Sequence, residues 1–245
     1  MIAFGLSRIL LHLLVGLWTC AVVFPLTDAA GRSWRIQHWS LKLLAICGIE
    51  VVVRHTGAAT SANSAQRCVV VSNHVSWLDI FVINTLQAQR FVAKSELRGW
   101  PLLGWLAAKA GTIFIARGRV RDVRRIFENL VHSIRNGEHV AFFPEGTTAA
   151  QGQLLPFHAN LFEAAIDASV PIQPIALRYL NPDGTLAERA NYIGDTSFAD
   201  SMLTILRGGP LRAELILLAP IESAGVHRRD LANAARQTIG SALGQ

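Results

Sequence analysis

The stretch "RCVVVSNHVSWLDIFVINTL", Arg67 to Leu86, decides how this chain is read. Its first six residues make an apolar, β-branched run of the kind that fills a buried strand. From Trp77 to Leu86 the apolar residues take helical spacing instead. The turn between the two carries His74 and, five residues later, Asp79. Inside one continuous helix, residues five apart point about 140° away from each other at roughly 100° per residue, so the two would not meet. If the helix begins after His74 with Ser76 as its N-cap, Asp79 falls in the first turn and Ser76-x-x-Asp79 has the outline of a capping box. The side chains then converge at the positive end of the helix dipole. A carboxylate held against one ring nitrogen fixes the tautomer and leaves the other nitrogen free to take a proton from a hydroxyl. Taken alone, the pair serves equally as a structural ion pair or a cap, and a metal site lacks a third ligand at useful spacing.

Working outward, strands and helices alternate. "IEVVV", "RCVVVS", "RFVAK", "GTIFIA", "EHVAFFP", "IQPIALRYL" and "AELILLAP" read as strands. Helical periods fall at Trp77 to Leu86, Leu102 to Ala110, Val120 to Asn136, Ala159 to Ala168 and Arg228 to Leu243. This alternation predicts an α/β fold over residues 49–245: a single domain with a mixed, largely parallel sheet flanked by helices.

The first 48 residues differ in kind. Ile9 to Leu26 carries no fixed charge for 18 residues, near the lower limit for crossing a bilayer. The following "TDAAGR" is a poor cleavage site for a signal peptide. A second helix is expected from Ser33, as N-cap, to Gly48. Arg35, His38 and Lys42 share one face of it, Ile36, Leu43 and Cys47 another, and Trp34 and Trp39 lie near the boundary. A basic, Trp-bearing amphipathic helix beside an apolar one suits a protein half-buried in the headgroup region. Residues 1–48 are therefore read as a two-helix membrane-associating segment.

Composition points the same way. Half the residues, 51%, are hydrophobic and only 16% are charged, with a net charge of +6. Arginine outnumbers lysine heavily, which suits anionic headgroups or phosphorylated substrates. The basic residues are scattered and no nucleic-acid motif accompanies them, so nucleic acid is not the expected partner. Cys20, Cys47 and Cys68 each sit in an apolar run and read as small buried hydrophobes in a reducing compartment.

Two further corners carry polar chemistry. "FFPEGTT", Phe142 to Thr148, ends a buried strand in a rigid turn where Gly146 frees the backbone. "GTIFIARGR" puts Arg117 just past a strand end, where open α/β sheets commonly bind ligands. With these in hand the sequence resembles the lysophospholipid acyltransferases typified by bacterial 1-acylglycerol-3-phosphate acyltransferases. The family's Asn-His-x4-Asp is matched by Asn73, His74 and Asp79; its Gly-x-x-Phe-x-x-Arg by Gly111, Phe114 and Arg117. Phe143 to Thr147 matches Phe-Pro-Glu-Gly-Thr, and "VPIQPIAL" matches the proline-centred fourth motif.

The resemblance implies transfer of a fatty acyl group from acyl-CoA or acyl carrier protein to the free hydroxyl of 1-acylglycerol-3-phosphate, in phospholipid biosynthesis. On that analogy His74 is the general base and Asp79 its partner. Asn73, Lys94, Arg117, Glu145, Gly146 and Thr147 would bind the acceptor, its phosphate chiefly through Arg117. No metal or organic cofactor is expected, and the implied setting is the cytoplasmic face of a bacterial inner membrane. Thr148 and Ala149 stand where the family often carries a basic residue, and "LPFHANLF" places His158 and Asn160 where lysine or arginine and glycine are frequent. A lysolipid with an amino-acid headgroup, such as lyso-ornithine lipid, is the alternative acceptor. A non-catalytic lipid-binding protein is the alternative from another class.

Overall fold

Val69, Val70 and Val71 show how the fold is organised. Side chains alternate across a strand, and here Val69 and Val71 enter one hydrophobic cluster while Val70 enters another. The strand is buried on both faces, as a central strand between two helical layers must be. The computed structural model describes residues 2–56, 67–115 and 120–245, and for residues 120–126 the backbone only.

Seven strands form the sheet: β1 (Ile49–His55), β2 (Val69–Ser72), β3 (Arg90–Lys94), β4 (Ile113–Ile115), β5 (Val140–Phe142), β6 (Ile172–Leu180) and β7 (Leu211–Leu217). Their order is β1-β7-β6-β2-β5-β3-β4. Every neighbouring pair is parallel except β6 with β7, which is antiparallel. The expected mixed, largely parallel sheet is the one observed.

The helices are α1 (Ile2–Trp18), α2 (Ala29–Ile46), α3 (Asp79–Asn84), α4 (Leu103–Lys109), α5 (Val120–Arg135), α6 (Phe162–Ala168), α7 (Phe198–Arg207) and α8 (Arg228–Leu243). On one face of the sheet Leu43 and Leu44 of α2, Val82 and Ile83 of α3 and Ile205 of α7 pack on Val70, Leu177 and Leu215. On the other, Leu130 and Ile134 of α5, Phe162 of α6 and Leu231 and Ala235 of α8 pack on Val71, Phe142 and Ile172.

Several boundaries differ from the sequence reading. Helix α2 starts at Ala29, not after Ser33, because the Asp28 side chain caps it by accepting from Gly31 N at 2.8 Å. Helix α3 starts at Asp79, two residues later than expected. Helix α7 was not expected; Ser197 caps it, accepting from Asp200 N at 3.1 Å.

The N-terminal helices behave unlike the rest. After α1 the chain passes through a π turn, Thr19–Val23, and a 3-10 turn, Phe24–Leu26. Within Ile2 to Leu26 an 18-residue stretch reaches a mean hydropathy of 2.2, and the helix is long and apolar enough to cross a membrane. Only a few of its residues, including Ile9, Cys20 and Phe24, are buried. Phe4, Leu10, Leu11, Leu14, Trp18 and Leu26 are exposed. Helix α2 adds exposed Trp34 and Leu41 while its inner face reaches the core.

Candidate active site

β2 ends at Ser72, and the chain turns through Asn73 to Leu78 before α3 begins. Asn73 extends the β2–β6 ladder past the last register pair, Ser72 with Ile175. Its amide donates to Leu177 O at 2.9 Å and accepts from Leu177 N at 2.8 Å. Both polar ends of this buried side chain are thereby engaged. Asn73 anchors the turn to β6.

The turn brings His74 and Asp79 together. His74 Nδ1 lies 2.7 Å from Asp79 Oδ2. The same oxygen accepts from the main-chain N–H groups of Val75 at 2.7 Å and Ser76 at 2.9 Å. The other oxygen, Oδ1, accepts from Tyr179 Oη at 2.6 Å. Asp79 is fully buried. Removing a carboxylate from water is costly unless donors replace the water, and here the donors come from the turn and from β6. The capping box forms by half: Asp79 takes the Ser76 N–H, but the buried Ser76 hydroxyl has no hydrogen-bond partner and caps nothing.

With Asp79 accepting at Nδ1, the ring proton sits there and Nε2 keeps its lone pair. The His74 side chain is 19% exposed. Its ring stacks on Phe143, with centroids 3.9 Å apart and planes at 7°, and Phe143 in turn stacks on Phe91 of β3. The His74 main chain is held too: its carbonyl accepts from Ala149 N at 2.8 Å.

Glu145 closes the back of the site. One carboxylate oxygen accepts from His74 N at 2.8 Å and the other from Leu155 N at 2.9 Å. Burial pushes its pKa up; the hydrogen bonds from His74 and Leu155 pull the other way. Like Asn73, this residue expected to bind the acceptor engages main-chain groups, and it ties the β5 corner to the His74 turn. Gly146 and Thr147, by contrast, are exposed. Gly146 has φ +68° and lies against the His158 ring, a conformation that side chains rarely tolerate.

Beside the stacked rings is an apolar cavity of about 310 Å³, lined among others by Ile115, Leu130, Phe143, Pro144 and His158. Lys94, exposed at the end of β3 and paired in register with Ile115, stands at the same edge of the sheet. Arg117 lies outside the described residues. Among the described residues no group of His, Cys, Asp and Glu could hold a metal ion. Cys47 and Cys68 are pushed up to about 11 by burial, as inert packed thiols are.

A base with one nitrogen fixed, its carboxylate fully solvated by protein donors, and an apolar cavity alongside suit removal of a proton from a lipid hydroxyl. The family model described as Acyltransferase matches residues 52–178. The chain belongs to that family. It is 38% identical over 219 residues to a lyso-ornithine lipid O-acyltransferase of Pseudomonas aeruginosa, covering 89% of this chain and 82% of that one. It is 42% identical over 123 residues to a 1-acyl-sn-glycerol-3-phosphate acyltransferase of Neisseria gonorrhoeae, covering 50% and 48%. The fold matches the crystal structure of the 1-acyl-sn-glycerophosphate acyltransferase PlsC from Thermotoga maritima, with a TM-score of 0.62, 19% identity and 98% of both chains covered. In this acyltransferase His74 and Asp79 lie within hydrogen-bonding distance. Sequence reasoning missed Tyr179. A tyrosine in a largely buried strand was the available signal, since a buried phenol needs a partner.

Proposed function

We propose that this acyltransferase moves a fatty acyl group from acyl-CoA or acyl carrier protein to the free hydroxyl of lyso-ornithine lipid. The observation that carries the chemistry is the His74–Asp79 pair with Nε2 unengaged among the described residues. His74 Nε2 takes the proton of the acceptor hydroxyl as its oxygen attacks the thioester carbonyl. The tetrahedral intermediate collapses, the carbon–sulfur bond breaks, and the imidazolium returns the proton to the leaving thiolate. The imidazolium is stabilised meanwhile by Asp79. The scheme uses the thioester as co-substrate and no resident cofactor. The apolar cavity against Phe143 is the proposed seat of an acyl chain.

The headgroup assignment is supported by the extent of similarity, which for lyso-ornithine lipid acyltransferases runs well beyond the motif region. It is also supported by Thr148 and Ala149, which place no cation after the Glu-Gly-Thr corner. The second reading, 1-acylglycerol-3-phosphate as acceptor, is favoured by the higher identity over the shorter motif region. The exposed apolar face of α1, with Trp34 and Leu41 of α2, supports half-insertion in the cytoplasmic leaflet of the inner membrane. From there the site meets an acceptor that never leaves the bilayer.

A panel of lysolipids in vesicles, offered with labelled acyl thioester and read by product mass, tests the proposal. Ornithine lipid as the dominant product is expected. Dominant phosphatidate would move the assignment to the second reading. No thioester consumption with any acceptor would replace catalysis with lipid binding alone.

A further inference from the structure

We infer that Tyr179 is a positioning residue of this site: its phenol holds Asp79 by Oδ1 so that Oδ2 stays turned toward His74. The inference rests on the acyl-transfer reading but adds a residue that none of the four sequence motifs contains. Tyr179 is 100 residues away from Asp79 in sequence, fully buried on β6, and donates to Oδ1 at 2.6 Å. A buried tyrosine in a sheet can satisfy its hydroxyl with any nearby carbonyl oxygen. This one meets the buried carboxylate of the His74–Asp79 pair instead.

The geometry gives that contact a purpose. His74 Nδ1, Val75 N and Ser76 N all converge on Oδ2. Nothing in the turn itself engages Oδ1, and the carboxylate torsion of aspartate is broad and nearly two-fold. With the phenol on Oδ1 the two oxygens are no longer equivalent, and the plane presented to the imidazole is fixed. The phenol is itself well fixed. Tyr179 N donates to Gln151 Oε1 at 2.6 Å and its carbonyl accepts from Ala187 N at 2.9 Å. Two residues earlier on the same strand, Leu177 holds Asn73. β6 thus grips the His74 turn on either side of the imidazole, once through main chain and once through a side chain.

The contact also sets charge. The titratable groups facing Asp79 among the described residues are His74 from the turn, Tyr179 from β6 and Glu145 from the β5 corner. Burial, and then the Asp79 charge, hold the phenol far above its ordinary acidity range, so it remains a neutral donor at any working pH. A donor on Oδ1 draws negative charge away from Oδ2 and so moderates how strongly Asp79 favours the imidazolium.

Two variants test this on the full-length enzyme: Tyr179→Phe, and 3-fluorotyrosine placed at position 179, which keeps the O–H and makes it a stronger donor. The His74 imidazole is titrated by NMR in each, and thioester consumption is followed against pH with whichever lysolipid the wild type uses. Tyr179→Phe is expected to lower kcat about tenfold or more, the scale of one hydrogen bond to a charge, with KM for the lysolipid little changed. Its His74 titration and the acid limb of kcat/KM should move to higher pH. The fluorinated variant should keep kcat near wild type and move both to lower pH. A folded Tyr179→Phe protein with wild-type kcat and an unmoved His74 titration overturns the inference. So does a fluorinated variant whose titration stays at the wild-type position, which would leave Tyr179 a core residue only. If Tyr179→Phe does not fold, the fluorinated variant decides by itself. Failure of the wild type on every lysolipid would sink the proposed function, while the NMR titrations would still decide the role of Tyr179.

Discussion

At the carboxyl ends of β2, β5 and β6 the chain turns its polar groups inward, whereas along α1 it turns its apolar groups outward. Asn73, Asp79 and Glu145 are all buried, and each is satisfied by named partners. Leu10, Leu11, Leu14 and Trp18 are exposed on a helix with no acidic residue. Each arrangement would be costly alone: buried polar groups must find partners, and a contiguous exposed apolar face calls for a second surface. Together they fit the proposed function: chemistry held rigidly at the sheet and an apolar face available to a lipid surface.

The contrast can be broken from either side. The largest effect is expected at His74→Ala, which should lower turnover by about 10²- to 10⁴-fold while thermal stability and vesicle binding stay at wild-type values. A loss of vesicle binding in that variant would mean that the two regions are not separable. Next, changing Leu10, Leu11 and Leu14 together to glutamine should weaken vesicle binding by about 10²-fold, since each buried leucine is worth roughly 1.5–3 kcal/mol and the face is only partly inserted. Sedimentation with liposomes measures it, and turnover on detergent-dispersed acceptor should survive.

A smaller effect is expected at Asn73→Ala. It leaves the Leu177 N–H and carbonyl without their partner, and should cost about 2–3 kcal/mol in denaturant unfolding, with lower turnover as the turn loosens. The smallest concerns Glu145. Burial raises its folded-state value above the unfolded 4.5, so the unfolded chain releases that proton first. The corresponding stability is present below about pH 4.5 and is lost as pH rises through the folded-state value. Glu145→Gln should therefore show a flatter decline of stability with pH above 4.5 than the wild type, read from melting curves across pH.

What the sequence disclosed follows the same division. All seven strands were legible, because β-branched runs such as Val69 to Val71 and Ile172 to Leu180 are buried on both faces and leave little ambiguity. The His74–Asp79 meeting was legible too, since only a turn between them lets residues five apart converge. The main-chain contacts of Asn73 and Glu145 were not. Their partners are main-chain groups of Leu177, His74 and Leu155, which a motif cannot display. Tyr179 was hidden for a similar reason: its partner is 100 residues distant, and only the sheet order brings β6 beside β2. Helix α7 was different. Its Ser197-x-x-Asp200 cap stands in the sequence, but the helix behind it, Phe198–Arg207, is only 10 residues long and gives a weak periodic signal. Ser76 is not the cap because the helix starts at Asp79 and the Asp79 N–H goes to the Ser76 carbonyl, at 3.1 Å, rather than to its hydroxyl.

The most direct test is the turnover of Asp79→Asn on vesicle-bound lysolipid, with vesicle binding measured on the same preparation. The amide can still fill the space and accept one hydrogen bond, but it cannot stabilise an imidazolium. A fall of about 10²-fold or more in kcat with vesicle binding intact is the expected result. Wild-type turnover in a folded, vesicle-bound Asp79→Asn protein would show that the imidazole and carboxylate do not act together, and the account would fail.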